Sequence, residues 1–140
     1  MMKRLPDWPA RLAALMDETL GLPFAWGRHD CVTFAARAVL AVTGEDHLQG
    51  TPQWVNARAA ARALQAMGGF EAAVSKRLGP PVSILQARRG DLVLMPHRAV
   101  RGRWPGALAV CFGNLCGAPG HDRLSLRPLA DASLCWRVGS

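Results

Sequence analysis

The sequence predicts an α+β fold in a single domain, residues 1–140, with a helical N-terminal half packed on a small antiparallel sheet. Three observations predict it. Apolar residues recur at helical spacing from Leu12 to the stop at Gly68-Gly69. Gly79-Pro80-Pro81 then interrupts the chain. Beyond it, short apolar runs alternate with turn residues, the pattern of antiparallel strands. A chain of 140 residues is long enough for one core and too short for two.

Taken in order, Asp7 is placed to cap a helix from about Pro9 to Leu20, with Pro9 in its first turn and Gly21 after its end. Leu12, Leu15, Met16 and Leu20 form its expected inward stripe. A second helix is expected from about Cys31 to Val42, closed by Gly44, with Phe34, Ala38 and Ala41 inward and Ala35 and Val39 beside them. A third is expected from about Trp54 to Met67, capped near Thr51 and stopped by Gly68-Gly69. Arg58 and Arg62, four residues apart, share its solvated face. A helical turn from Phe70 to Arg77 completes the first half. Strands are expected at Gly90–Met95, at Ala107–Phe112 in a central position, and at Leu115-Cys116, Arg123–Leu129 and Leu134–Val138, with a hairpin turn at Gly113-Asn114.

Half of the residues are apolar and 19% are charged, which excludes a disordered or fibrous chain. No apolar run reaches the roughly 20 residues of a membrane span. The basic start Met1-Met2-Lys3-Arg4 lacks the apolar stretch of a signal peptide, because Pro6, Asp7 and Pro9 interrupt it. Synthesis in the cytoplasm is therefore expected. The net charge of +7 is carried mainly by scattered arginines, without a zinc-finger, RNA-binding or phosphate-loop pattern, so nucleic acid is not the expected partner.

Of the four cysteines, Cys111, Cys116 and Cys135 lie in or near apolar strands, and packing is their expected role. A metal site built from them is the competing reading, but their spacing lacks the tight pairs such sites use, and no metal or cofactor is expected. Cys31 differs: it follows a glycine-containing loop and opens an amphipathic helix, where the helix dipole favours a thiolate nucleophile. Asp30 is placed either to cap that helix or to oppose thiolate formation by its charge.

The segment Phe24-Ala25-Trp26-Gly27, followed by Asp30-Cys31-Val32-Thr33-Phe34, resembles the entrance motif of the NlpC-type papain-like cell-wall peptidases. In those proteins an aromatic-x-Trp-Gly loop leads to Asp-Cys-Ser-Gly. Ala87-Arg88-Arg89-Gly90-Asp91-Leu92-Val93 is similar to their Arg-x-Gly-Asp-Leu strand start. The likeness runs from about Phe24 to Gly113 and extends to a branch found among tail proteins of bacteriophages and phage-like particles. That branch carries a terminal Ala/Cys-Trp-Arg-Val segment, here Cys135-Trp136-Arg137-Val138. The resemblance implies a papain-like fold, Cys31 as nucleophile, and Trp26, Gly27 and Asp30 as cleft-forming residues.

Two departures accompany it. Val32-Thr33 replaces Ser-Gly, and Ala107 occupies the position of the histidine general base, where alanine transfers no proton. His121 and His97 are the candidate substitute bases; His29 and His47 read as loop and surface histidines. Trp26 is expected to wall the cleft. Trp54 and Trp136 are expected in the core or an interface, and Trp8 among prolines and arginines is open to a partner. The basic loop from His97 to Arg103 ending in Trp104, with Arg101 and Arg103, is the most interface-like stretch. The resemblance thus implies either a structural tail-tip protein, docked on hub or fibre proteins in the virion tail and degenerate in catalysis, or an active cysteine endopeptidase cutting peptidoglycan stem peptides as the genome is delivered.

Overall fold

The computed structural model describes residues 2–48, 54–96 and 106–140. It is an α+β fold with helices first and sheet second. The helices are α1 (Trp8–Thr19), α2 (Cys31–Thr43), α3 (Ala57–Ala66) and α4 (Phe70–Leu78). The strands are β1 (Leu92–Pro96), β2 (Gly106–Cys111), β3 (Leu115–Pro119), β4 (Leu124–Pro128) and β5 (Leu134–Trp136). They form one antiparallel sheet in the order β4-β3-β2-β1-β5, which puts β2 at its centre as its apolar run requires. No helix among the described residues is long and apolar enough to cross a membrane.

Strand alternation sorts the core into two layers. Leu92, Leu108, Val110 and Trp136 join Phe34, Ala38, Val39 and Val42 of α2, together with Leu12 and Leu15 of α1. On the far face, Val93, Met95, Ala109, Cys111, Cys116 and Cys135 are covered by Val82, Ile84, Ala87, Leu129 and Ala132 from the connecting loops. Ala107 shares the far face with Ala109 by the same alternation. The helix side of β2 is therefore presented by Leu108.

The helix ends differ from the simplest sequence reading in three places. Asp7 does not cap α1; both its carboxylate oxygens accept from Arg11 Nε at 2.9 Å, and Leu20, expected inward, is 42% exposed. The inward stripe of α2 runs through Val42, with Ala41 half-buried, because 3.6 residues per turn carry it past position 41. Trp54 does not open α3. Asn56 caps that helix through its Oδ1, which accepts from Ala59 N–H at 2.8 Å, and Trp54 lies before it, buried. Thr51 falls outside the described residues. Arg58 and Arg62 are exposed on α3, as their spacing predicts.

The segment before α1 is built into the fold. Leu5 N–H donates to Val42 O at 2.8 Å, and Arg4 runs inward to the sheet. The Arg4 guanidinium also sits 4.4 Å over the Trp8 ring. Trp8, expected to be open to a partner, is half-buried against the core beneath this cation–π contact.

Candidate functional site

The loop before α2 is built around one carboxylate. Asp30 is almost wholly buried at the N-cap of α2, and its Oδ1 accepts from Thr33 N–H at 2.9 Å. Thr33 Oγ1 accepts in turn from Asp30 N–H at 2.8 Å, which closes a reciprocal capping box. Val32-Thr33 in place of Ser-Gly therefore has a structural meaning: threonine at the third helical position supplies half of the cap. The other oxygen, Oδ2, accepts from Gly27 N–H at 2.8 Å and from the Trp54 indole Nε1–H at 2.6 Å. Both readings of Asp30 hold: it caps α2, and its charge also works against a thiolate at Cys31.

Gly27 is required twice over. Its φ of 77° is the left-handed region, and a Cβ there would meet the Trp54 carbonyl oxygen at 1.9 Å. Trp26 packs edge-on to Phe24, with ring centroids 4.7 Å apart. Together Trp26, Asp30, Cys31, Val32, Trp54 and Phe70 line a narrow pocket of about 30 Å³. Trp26 and Cys31 thus line one pocket, and Trp54 is a wall of it that the sequence did not reveal. Its signal was Asn56, a better helix cap than Thr51, which leaves Trp54 outside α3 and free to turn toward Asp30. Beside this pocket is an apolar cavity of about 180 Å³ that shares Val32, Trp54, Leu64 and Phe70 as lining.

Cys31 opens α2 as expected, and as a residue it is half-buried. Its thiol is pushed up to about 12, first by burial and further by the Asp30 charge. The Leu108 backbone, an influence larger than the Asp30 charge, pulls the other way, with smaller help from the backbones of Cys31 and Val32. The helix dipole thus loses to desolvation, and no histidine is among the groups acting most strongly on the sulfur.

Three of the four histidines lie among the described residues. His121 is exposed in the turn between β3 and β4; its carbonyl accepts from Phe24 N–H at 3.4 Å, so its backbone, not its ring, abuts the motif loop. His47, read as a surface residue, is half-buried with Nε2 3.1 Å from Met2 Sδ. His29, read as an ordinary loop histidine, is 95% buried by its 5% exposure and stands edge-on to Phe34 at 5.8 Å. Among the described residues neither of its ring nitrogens has a hydrogen-bond partner, and burial, then the Arg37 charge, hold its pKa below the usual histidine value. His97, Arg101, Arg103 and Trp104 lie outside the described residues.

The Gly90-Asp91 turn is an anchor of the fold. Asp91 is completely buried, and its Oδ1 accepts from Arg4 Nη2 at 2.9 Å and from Val138 N–H at 3.0 Å. Its Oδ2 accepts from Arg88 N–H at 2.9 Å. Arg4 also donates to Val138 O and Arg89 O, so Gly90-Asp91 fastens both ends of the chain to β1. Trp136 is buried with its indole N–H donating to Ser75 Oγ at 3.0 Å. Among the described residues, no group of three or more His, Cys, Asp or Glu is arranged to hold a metal ion.

No curated protein and no solved structure matches the chain significantly. Residues 3–138, from just before Arg4 to Val138, match a family described as a domain of unknown function, DUF6950, and the chain belongs to that family.

Proposed function

We propose that the protein is a structural component of a bacteriophage tail tip, of papain-like NlpC type, in which the inherited cysteine position no longer performs catalysis. The state of the Cys31 thiol carries this reading. A sulfur held up to about 12 is a neutral thiol at physiological pH, and acyl transfer needs the thiolate. Three further features support it. Asp30, the polar neighbour in sequence, spends both oxygens on the cap of α2, on Gly27 and on Trp54. Ala107 replaces the family's general base and lies on the sheet face away from α2. The Trp-Gly-x-x-Asp-Cys and Gly-Asp-Leu segments both have architectural explanations that need no reaction.

A specific observation favours the second reading, an active endopeptidase acting on peptidoglycan stem peptides. Cys31 lines a pocket with the aromatic walls Trp26 and Trp54, as a substrate cleft would have it. The two separate experimentally. Purified protein and Cys31→Ala are incubated with peptidoglycan, and released stem-peptide fragments are sought by mass spectrometry. The expected result is none from either; fragments from the parent alone would establish a cysteine hydrolase. In parallel, tail particles are probed by immunogold labelling, with the label expected at the distal tip. Particles free of this chain would overturn the tail assignment.

A further inference from the structure

Beyond the tail-tip reading, the far face of the sheet holds a pair of thiols in bonding register. Cys111 on β2 and Cys116 on β3 are direct cross-strand partners. Cys111 N–H donates to Asp91 O, and its carbonyl accepts from Gly90 N–H, each at 2.8 Å. Both backbone groups of Cys111 therefore point toward β1 and neither toward β3. On the β3 side the next ladder bond is from Phe112 N–H to Leu115 O at 2.9 Å. This makes the two cysteines a non-hydrogen-bonded pair, the narrow kind, with Cα atoms about 4.5 Å apart. Disulfides span Cα separations of about 4.4–6.8 Å. Both side chains are buried in the same apolar cluster. Cys135 shares the cluster but sits opposite Val93, which is itself opposite Ala109. Two strand spacings, roughly 10 Å, separate it from β2, beyond the reach of a disulfide.

We propose that Cys111 and Cys116 form a peroxide-sensitive dithiol that closes to a cross-strand disulfide when the protein meets a hydroperoxide. The pair is chemically unequal. The neighbouring Cys116 pulls Cys111 down to about 7 and is itself pushed up, and the Cys111 thiol donates to Gly113 O at 3.3 Å. The Cys111 thiolate attacks one peroxide oxygen, the O–O bond breaks, and the departing hydroxide takes a proton to leave as water. Cys111 is now a sulfenic acid. The Cys116 sulfur attacks it, the S–O bond breaks, and the hydroxide leaves with the Cys116 proton as a second water. Two thiols and one hydrogen peroxide give one disulfide and two waters, with the sulfurs oxidised and the peroxide oxygens reduced. Both thiols are buried, so hydrogen peroxide, the smallest hydroperoxide, is the oxidant to use.

The test is peroxide titration of the folded protein, followed by thiol counting in denaturant. The count is expected to fall from four to two. The tryptic peptide between Arg103 and Arg123, which holds both cysteines, is expected two hydrogens lighter and to regain them with dithiothreitol. The melting temperature is expected to rise by about 5 °C on oxidation. Cys135→Ser is expected to keep the reaction. Cys116→Ser is expected to stop it at a Cys111 sulfenic acid that dimedone traps. Four thiols surviving peroxide that oxidises the urea-unfolded chain would overturn the proposal, as would a linkage that includes Cys135 or Cys31.

Discussion

The Trp54 indole donates to Asp30 Oδ2 at 2.6 Å across 24 positions of sequence. The same carboxylate caps α2 and holds Gly27 N–H. One side chain thus fixes the start of the central helix, the motif loop and the segment entering α3. Replacing Asp30 with alanine removes the acceptor of donors on three elements, of which the Trp54 indole is buried and the Gly27 and Thr33 amides are partly so. The expected loss is about 3 kcal/mol or more, read from urea unfolding. Cys31→Ala is expected to cost clearly less, and equal losses would remove Asp30 from this central place.

Gly27 gives a sharper test of the same cluster. Alanine there combines a left-handed φ with a Cβ 1.9 Å from the Trp54 carbonyl, and backbone on both sides leaves no flexible atom to yield. Gly27→Ala is expected to destabilise by about 2 kcal/mol or more and to shift tryptophan fluorescence. Gly21→Ala, with open space around the new Cβ, is expected to stay within about 0.5 kcal/mol. Equal behaviour of the two variants would contradict the close approach.

The Arg4–Asp91 pair joins groups whose side chains are 7% and 0% exposed. Removing one partner strands the other. Asp91→Asn and Arg4→Met are each expected to cost about 3–5 kcal/mol. The double variant is expected to recover a large part of the sum, which a double-mutant cycle measures. Simple additivity would show the bridge to be energetically idle.

His29 links stability to pH. Its folded pKa lies below its unfolded value, because burial and the Arg37 charge oppose protonation more than Asp30 favours it. Above the unfolded value of about 6.5 the ring is neutral in both states, and the fold carries no penalty. As pH falls below that value the unfolded chain takes up the proton first, so stability declines until the folded pKa is reached. His29→Phe, beside Phe34, is expected to abolish this part of the decline and to leave stability at pH 7 equal or higher, since it removes two unpartnered nitrogens. Thermal unfolding of parent and variant across the acidic range checks it. An unchanged slope would place the titration elsewhere.

Much of the architecture was legible because its signals are local. The apolar period of Leu12 and Leu15 marked α1, Gly44 marked the end of α2 in a left-handed cap, and the apolar run ending at Cys111 marked the central strand. Where local signals competed, the reading slipped. Trp54 looked like a helix opener, yet Asn56 offered the cap its side-chain oxygen. Asp7 had the residue type of a cap, but its carboxylate found Arg11 one turn away.

The sequence by itself determined the α+β order, one cysteine at the head of the central helix, and the glycine and aspartate that prepare its loop. Only the tertiary structure decided what those residues are used for. Whether Asp30 serves a thiol or an indole depends on Trp54 arriving from another segment. Whether Asp91 is a turn residue or an anchor depends on Arg4 and Val138 reaching β1 from opposite ends of the chain. The protonation of Cys31 and the isolation of His29 follow the same logic. Periodicity and capping act within a few residues, whereas desolvation and buried hydrogen bonds are set by whichever distant groups the topology closes around a site.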